Sequence, residues 1–333
     1  MARDSKEMKL LLQSALAMDK HSADNSQYYK WELHIFFDDA FTIKNNKYCV
    51  NTFVLELFEA MREVHQDKID FLKELYETDK PFQPEAKMET TEYGGQVTWT
   101  LEQGSEVICH LKNKKLIRHK KRWSQCMYIE YFRLRSDKRV EGVTADEIEI
   151  ASNNLLKSQN TFLLALDGDV VFEPKAVTLL LDVMIKNRGI GAACGRINPT
   201  GSGVIAGYQK FEYAVGHWLQ KSTEDALGNV LCSPGCFSLF RLQALCENKT
   251  KINLGKFKER MKKKGEDKLE ENMKKYRKSW ESMKDLQMTS IEKYFTKATT
   301  ARQSIQFDQG EDRWLCTLLI TRGWEVSHIN LVS

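Results

Sequence analysis

Apolar and polar positions along this chain fall into blocks with two different periods. Met8, Leu11, Leu12 and Ala15 recur at helical spacing between Lys6 and Met18. Val54, Leu55, Phe58 and Met61 do the same after Asn51, a residue suited to capping a helix. Leu33–Phe37 is instead a short apolar run, read as a strand that ends in the paired acids Asp38 and Asp39. Pro81 and Pro84 mark a break. Val97, Trp99 and Leu101 then alternate with polar residues, and a turn at 102–105 leads into Val107–Leu111, which predicts a β-hairpin.

The most informative block is Thr161–Phe172. Phe162–Leu166 has the length and unbroken apolarity of a strand buried on both faces, and it stops at Asp167, Gly168 and Asp169. Pro174 then opens a helix carrying Val177, Leu180, Leu181, Met184 and Ile185 as far as Gly189. Ile190–Arg196 reads as another strand and Tyr208–Lys221 as an aromatic, amphipathic segment. Gly310 starts a last helix with Trp314, Leu315, Leu318 and Leu319 as its stripe and Gly323 as its stop, and Trp324–Ile329 closes the pattern as a strand. Strand and helix alternating in this way predict an open α/β fold, whose ligands sit at the C-terminal ends of strands.

Two carboxylates at such a strand end, separated by a glycine, suit a hard divalent cation bridging to phosphate oxygens. The plainer reading, a solvated turn that ends a strand, stays open beside it. On the Tyr208–Lys221 helix, Phe211, Ala214, Val215 and Trp218 share a face assigned to packing, and His217 reads as a satisfied core histidine rather than a base.

Charge adds one feature. The net charge is only +4, but residues 249–285 carry fourteen Lys or Arg and seven Asp or Glu with few large apolar side chains. Such a segment cannot build a core and reads as a charged, exposed insertion, able to attract an anionic surface or an acidic partner. No aromatic or motif pattern accompanies it, which argues against nucleic acid. No run of about 18 apolar residues is present to span a bilayer, and the first residues lack the apolar core of a signal peptide. The eight cysteines are scattered and read as reduced thiols. Cys232 and Cys236 have no second pair at zinc spacing.

Taken together, several segments resemble the catalytic domain of animal chitin synthases. They are His34–Phe41, Arg118–Gln125, Leu166–Asp169, Gly191–Arg196, Gln209–Lys221, Cys232–Arg241 and Asp308–Leu315, in the family's order. The resemblance implies a partial GT-A, Rossmann-like domain over residues 1–333, with a mixed, mostly parallel sheet flanked by helices. It implies transfer of N-acetylglucosamine from UDP-GlcNAc to the non-reducing end of chitin, β-1,4-linked and inverting, with Mg²⁺ or Mn²⁺. The family's first strand with its Trp-His-Glu element, and its Gln-Arg-Arg-Arg-Trp motif with the following membrane helices, are not found. The chain is therefore expected to be an internal piece of a multi-pass plasma-membrane enzyme, facing the cytosol and reaching the membrane through segments it does not contain.

The resemblance also implies roles for residues. Asp169 would hold the metal, with Asp167 near the ribose or the metal shell. A basic turn of Lys120, Lys121 and Arg122, followed by Ser124 and Gln125, would face the nucleotide. Asp312 matches the catalytic base, flanked by Glu311 and Arg313. The growing chitin chain would meet Gln209, Glu212 and Tyr213 on the aromatic helix and Pro234, Gly235, Cys236 and Phe237 in the Ser-Pro-Gly-Cys-Phe turn. Apart from the resemblance, Glu311 and Asp312 read rather as ordinary acids of a helix start. Two further readings stand beside this one. A non-catalytic domain that binds nucleotide sugar is the first. The second is a haloacid-dehalogenase phosphatase, whose nucleophile motif resembles Asp167–Val171 but belongs near a domain's start.

Overall fold

In a computed structural model of the chain, residues 5–24, 29–44, 47–75, 85–117, 121–137, 159–247 and 288–330 are described. In order, the elements are α1 (Ser5–Asp24), β1 (Glu32–Phe37), β2 (Phe41–Lys44), β3 (Lys47–Val50), α2 (Thr52–Leu75), β4 (Ala86–Thr91), β5 (Gly94–Thr100), β6 (Glu106–Lys112) and α3 (Lys121–Asp137). There follow β7 (Phe162–Leu166), α4 (Pro174–Lys186), β8 (Ile190–Cys194), α5 (Val204–Ala214), a π-helical continuation at Val215–Lys221, and α6 (Ser222–Ala226). The last are β9 (Phe237–Arg241), α7 (Leu242–Cys246), α8 (Ser290–Tyr294), α9 (Ala301–Ser304), a second π turn at Ile305–Gln309, α10 (Glu311–Thr321) and β10 (Glu325–His328). The chain is thus mixed α/β, with sheets flanked by helices, and divides into two compact units: residues 1–125 with 166–179, and residues 126–165 with 180–333. The charged segment 249–285 lies outside the described residues.

In the first unit a four-stranded sheet has the order β1-β6-β5-β4. β1 and β6 are parallel, while β5 is antiparallel to both β6 and β4. The hairpin closes where the Leu101 N–H bonds the Ser105 carbonyl at 2.8 Å. One face carries Val97, Trp99, Val107, Cys109 and Leu111 against Leu12, Val54, Leu57 and Met61 of the two long helices. Asn51 caps α2 as expected, its Oδ1 accepting the Val54 N–H at 3.0 Å. The alternation of β1 turns Leu33, Ile35 and Phe37 to that core, so His34 emerges on the other face, 3.0 Å from His110.

The second unit holds the order β10-β8-β9-β7, with β8 parallel to β10 and antiparallel to β9. Its core joins Ala192, Phe240, Leu245, Tyr294, Leu319 and Trp324. Arg241 is buried at the end of β9 without a carboxylate partner among the described residues. Its guanidinium donates to the carbonyls of Gln159 (2.7 Å), Ile190 (3.0 Å), Asn187 (3.3 Å) and Met184, and lies over Phe162. It thereby satisfies the Met184 carbonyl, which the C-terminal end of α4 leaves without an intrahelical donor, and ties that end to β8 and to Gln159. Both sheets are mixed as expected. In the first the antiparallel share is larger than "mostly parallel" implied, since β5 is antiparallel to both neighbours and a connection as short as 101–105 can only join antiparallel strands.

Candidate functional site

In the first unit, Asp167, Gly168 and Asp169 form a turn at the C-terminal end of β7, closed by the Val170 N–H on the Asp167 carbonyl at 3.2 Å. Asp167 Oδ1 accepts from Lys121 Nζ at 3.1 Å, whereas the Asp169 carboxylate stands exposed. These are hard oxygen donors, and their exposure leaves room for phosphate oxygens in a cation's shell, so they fit Mg²⁺ or Mn²⁺. No group of three or more His, Cys, Asp or Glu forms a metal cluster among the described residues.

The basic residues do not form the turn read from the sequence. Lys121 and Arg122 begin α3, because the Trp123–Phe132 stretch that follows continues as helix. Lys120 lies outside the described residues. Arg122 and Gln125 are half-buried. Ser124 is buried, its hydroxyl 2.6 Å from Lys112 Nζ and 3.3 Å from Asp38 Oδ1. Lys112 itself is 2% exposed, pairs with Asp38 at 2.5 Å and lies 5.1 Å from the centre of the Trp123 ring. This buried pair had only one sequence signal, the two acids that end β1. Its role as an anchor for the start of α3 depends on the parallel pairing of β1 with β6.

In the second unit, Asp312 sits in the first turn of α10, and the loop 232–236 is folded against it. The Gly235 N–H donates to Asp312 Oδ2 at 2.8 Å. A Cβ on Gly235 would stand 2.6 Å from Asp312 Oδ1, a distance real Cβ atoms do not reach, so this approach requires glycine. The loop is held from several sides. The Ser233 N–H points at Cys316 Sγ at 3.1 Å, the Ser233 and Ser238 hydroxyls are 2.6 Å apart, and Lys221 Nζ donates to the Cys232 carbonyl at 2.5 Å. Pro234, Cys236 and Glu311 are partly exposed around Asp312, and Arg313 is exposed. Phe237 corrects the expectation of an acceptor-stacking ring. It is 4% exposed and begins β9, a strand whose five residues are all buried, so packing on both faces claims it for the core.

The aromatic helix brings a second correction. Phe211, Ala214, Val215 and Trp218 are exposed rather than packed; the face turned inward instead carries Ala206 and His217. Helical spacing shows which residues share a face, but not which face meets the sheet. His217 is the satisfied core histidine expected. Its Nε2 accepts the Ile197 N–H at 3.3 Å and its Nδ1 faces His328 Nε2 at 3.1 Å, which leaves the proton on His217 Nδ1. Burial, aided by His328, Lys221 and Arg196, pushes the His217 pKa down to about 4. Gln209, Glu212 and Tyr213 are exposed on the same helix.

Against this geometry, comparison with known proteins is specific. Residues 110–260 match the profile of a family described as chitin synthase. A chitin synthase of Meloidogyne artiellia is 39% identical over 97% of this chain, which covers 15% of that protein. The chitin synthase chs-2 of Caenorhabditis elegans is 38% identical over 97% of the chain and 17% of its own length. Chitin synthase 5 of the fungus Zymoseptoria tritici is 38% identical over 85 residues. The chain belongs to the chitin synthase family. Along essentially its whole length this chain is related to the chitin synthases, spanning less than a fifth of the two nematode relatives. No helix among the described residues is long and apolar enough to cross a membrane.

Proposed function

We propose that this chain forms catalytic machinery of a chitin synthase, moving N-acetylglucosamine from UDP-GlcNAc to the non-reducing end of chitin with inversion. Direct inversion needs one base on the acceptor, a stabilised leaving group and no covalent nucleophile. Asp312 takes the proton of the acceptor hydroxyl as that oxygen attacks the anomeric carbon. The hydrogen bond from Gly235 fixes the orientation of its carboxylate. UDP departs with the bonding electrons, and Lys121 and Arg122 offset the charge on its diphosphate. Asp169, helped by Asp167, would hold Mg²⁺ or Mn²⁺, which when bound supplies Lewis-acid neutralisation of the diphosphate. Gln209, Glu212 and Tyr213 offer polar and aromatic contacts to the sugar chain. The working context is a multi-pass enzyme of the plasma membrane, with this portion on the cytosolic side.

The observation that carries this reading is the seating of Asp312 on the Gly235 amide within a loop held by Ser233, Ser238 and Lys221. Its test is Asp312→Asn in the complete protein. Incorporation of radiolabel from UDP-GlcNAc into alkali-insoluble polymer should be abolished while UDP binding persists. Polymer formation that survives this substitution would remove Asp312 from the role of base.

A further inference from the structure

One turn along α10 from Asp312, the second unit gathers three thiols around Ser233. The Ser233 N–H donates to Cys316 Sγ at 3.1 Å, and the Ser233 side chain is hydrogen-bonded to the Cys194 thiol. Burial pushes the Cys316 thiol up, and the neighbouring Cys232 and Cys194 push it the same way. Cys194 and Cys316 are fully buried, whereas Cys232 is partly exposed. The transfer chemistry above uses none of these sulfurs.

Covalent geometry limits how far Cys232 can stand from Cys316. The Ser233 nitrogen is two bonds from Cys232 Cα, about 2.4 Å away. The Cys316 sulfur is therefore no more than about 5.5 Å from that Cα. In a disulfide the same distance is on the order of 4 Å. Rotation of the Cys232 side chain, with a loop shift of no more than about 1.5 Å, brings the two sulfurs to bonding range. The backbone around Cys232 is tied on both sides. The Val230 N–H donates to the Val326 carbonyl at 2.8 Å, and Lys221 Nζ donates to the Cys232 carbonyl at 2.5 Å.

We propose that Cys232 is a site of oxidation by a hydroperoxide, and that Cys316 resolves it as a disulfide tying the 232–236 loop to α10. The Cys232 thiolate attacks one peroxide oxygen and the O–O bond breaks. Cys232 becomes a sulfenic acid, and hydroxide departs with the bonding electrons. The Cys316 sulfur then attacks the sulfenic sulfur. The S–S bond forms, the S–O bond breaks, and the oxygen leaves as water with the Cys316 proton. Two thiols are oxidised and one hydroperoxide is reduced. Cys232, open to solvent, is reached first. A buried thiol such as Cys316 is a poor nucleophile towards anything in solution, and reacts with a partner held beside it. The link would draw the loop onto α10 where the Gly235–Asp312 contact leaves no room for a methyl group, and so displace the carboxylate. That loss of transfer rests on the role given to Asp312 above; the disulfide itself does not.

The test treats the 333-residue chain with hydrogen peroxide and counts free thiols under denaturant. They should fall by two from the eight present and return with dithiothreitol. Tryptic digestion should show peptide 222–241 joined to peptide 314–322, which holds Cys316. Cys236→Ser should keep that joined pair and Cys232→Ser should lose it, which assigns the sulfur within the first peptide. Cys232 is partly exposed, so an unchanged far-UV circular dichroism spectrum and thermal midpoint exclude misfolding of its variant. In Cys316→Ser, whose hydroxyl still accepts the Ser233 N–H, the sulfenic acid should persist and be captured by dimedone. No loss of thiols would overturn the proposal. So would a link from 222–241 to the peptide holding Cys194, or one between Cys232 and Cys236. In the complete protein, peroxide should lower polymer synthesis, and Cys232→Ser should remove the part that dithiothreitol restores. A Cys232–Cys316 disulfide that leaves synthesis unchanged would count against the role given to Asp312, while the oxidation site stands.

Discussion

Gly235 and Asp312, 77 positions apart in sequence, are joined by a 2.8 Å hydrogen bond from a backbone amide to a carboxylate oxygen, and the space between them has no room for a methyl group. Two of the segments that resemble chitin synthases thus meet at one contact. The glycine allows the approach, and the amide it exposes orients the acid.

Gly235→Ala should therefore act on chemistry rather than on nucleotide binding. The added Cβ must displace the Asp312 carboxylate, and misplacing a reacting group by about 1 Å costs on the order of 100-fold in rate. Polymer synthesis should fall by about that factor, with UDP affinity unchanged by calorimetry. A near-normal rate would show that the loop yields and that the contact is not required.

At the strand end in the first unit, Asp169→Asn should remove metal-dependent UDP binding together with turnover. Loss of one carboxylate from a hard-cation site should weaken Mn²⁺-dependent UDP binding by at least about tenfold, as seen for groups that support a metal. Titration of UDP with and without Mn²⁺ decides it. Undiminished metal-dependent binding would take Asp169 out of the site.

The buried His217–His328 pair should make the second unit acid-labile. Both pKa values are lowered, His217 to about 4, chiefly by burial. A neutral buried histidine contributes its stability fully above the unfolded-state pKa near 6.5. That contribution is lost as pH falls towards 4, because the unfolded chain then binds protons that the folded chain refuses. For His217 the loss is on the order of 3 kcal/mol across that window. Thermal midpoints measured from pH 7 to pH 4 should fall steeply for the natural chain and less steeply for His217→Asn. Parallel curves would disprove the assignment.

Arg241 offers a purely structural test. Arg241→Met keeps the buried aliphatic stem but strips donors from the carbonyls of Gln159, Met184, Asn187 and Ile190. Each orphaned buried acceptor costs about 1–3 kcal/mol, while the charge removed had lost solvation of its own. A net destabilisation of about 3 kcal/mol is expected by urea denaturation. A variant of unchanged stability would show that water replaces the guanidinium.

By itself the sequence determined the elements with strong periods: α1, the cap of α2 at Asn51, the hairpin of β5 and β6, β7 with its acidic turn, and α10 from Gly310 to its stop near Gly323. Each follows from a local rule of apolar spacing, capping or turn chemistry, which a short stretch of chain carries complete. It also held the motifs whose order matches the chitin synthases. Tertiary structure decided what local rules leave open. Strand β4, with its polar and exposed side chains, had no apolar pattern to announce it and exists because β5 supplies its hydrogen bonds. Lys121 and Arg122 became helix because the residues beyond them were helical. Phe211 and Trp218 were left exposed while His217 was buried, and Phe237 entered the core, because which face of an element is covered depends on what packs against it. The contact of Gly235 with Asp312 and the burial of Lys112 against Asp38 belong to the same category. Both join residues more than 70 positions apart, and only the assembled units bring them within hydrogen-bonding distance.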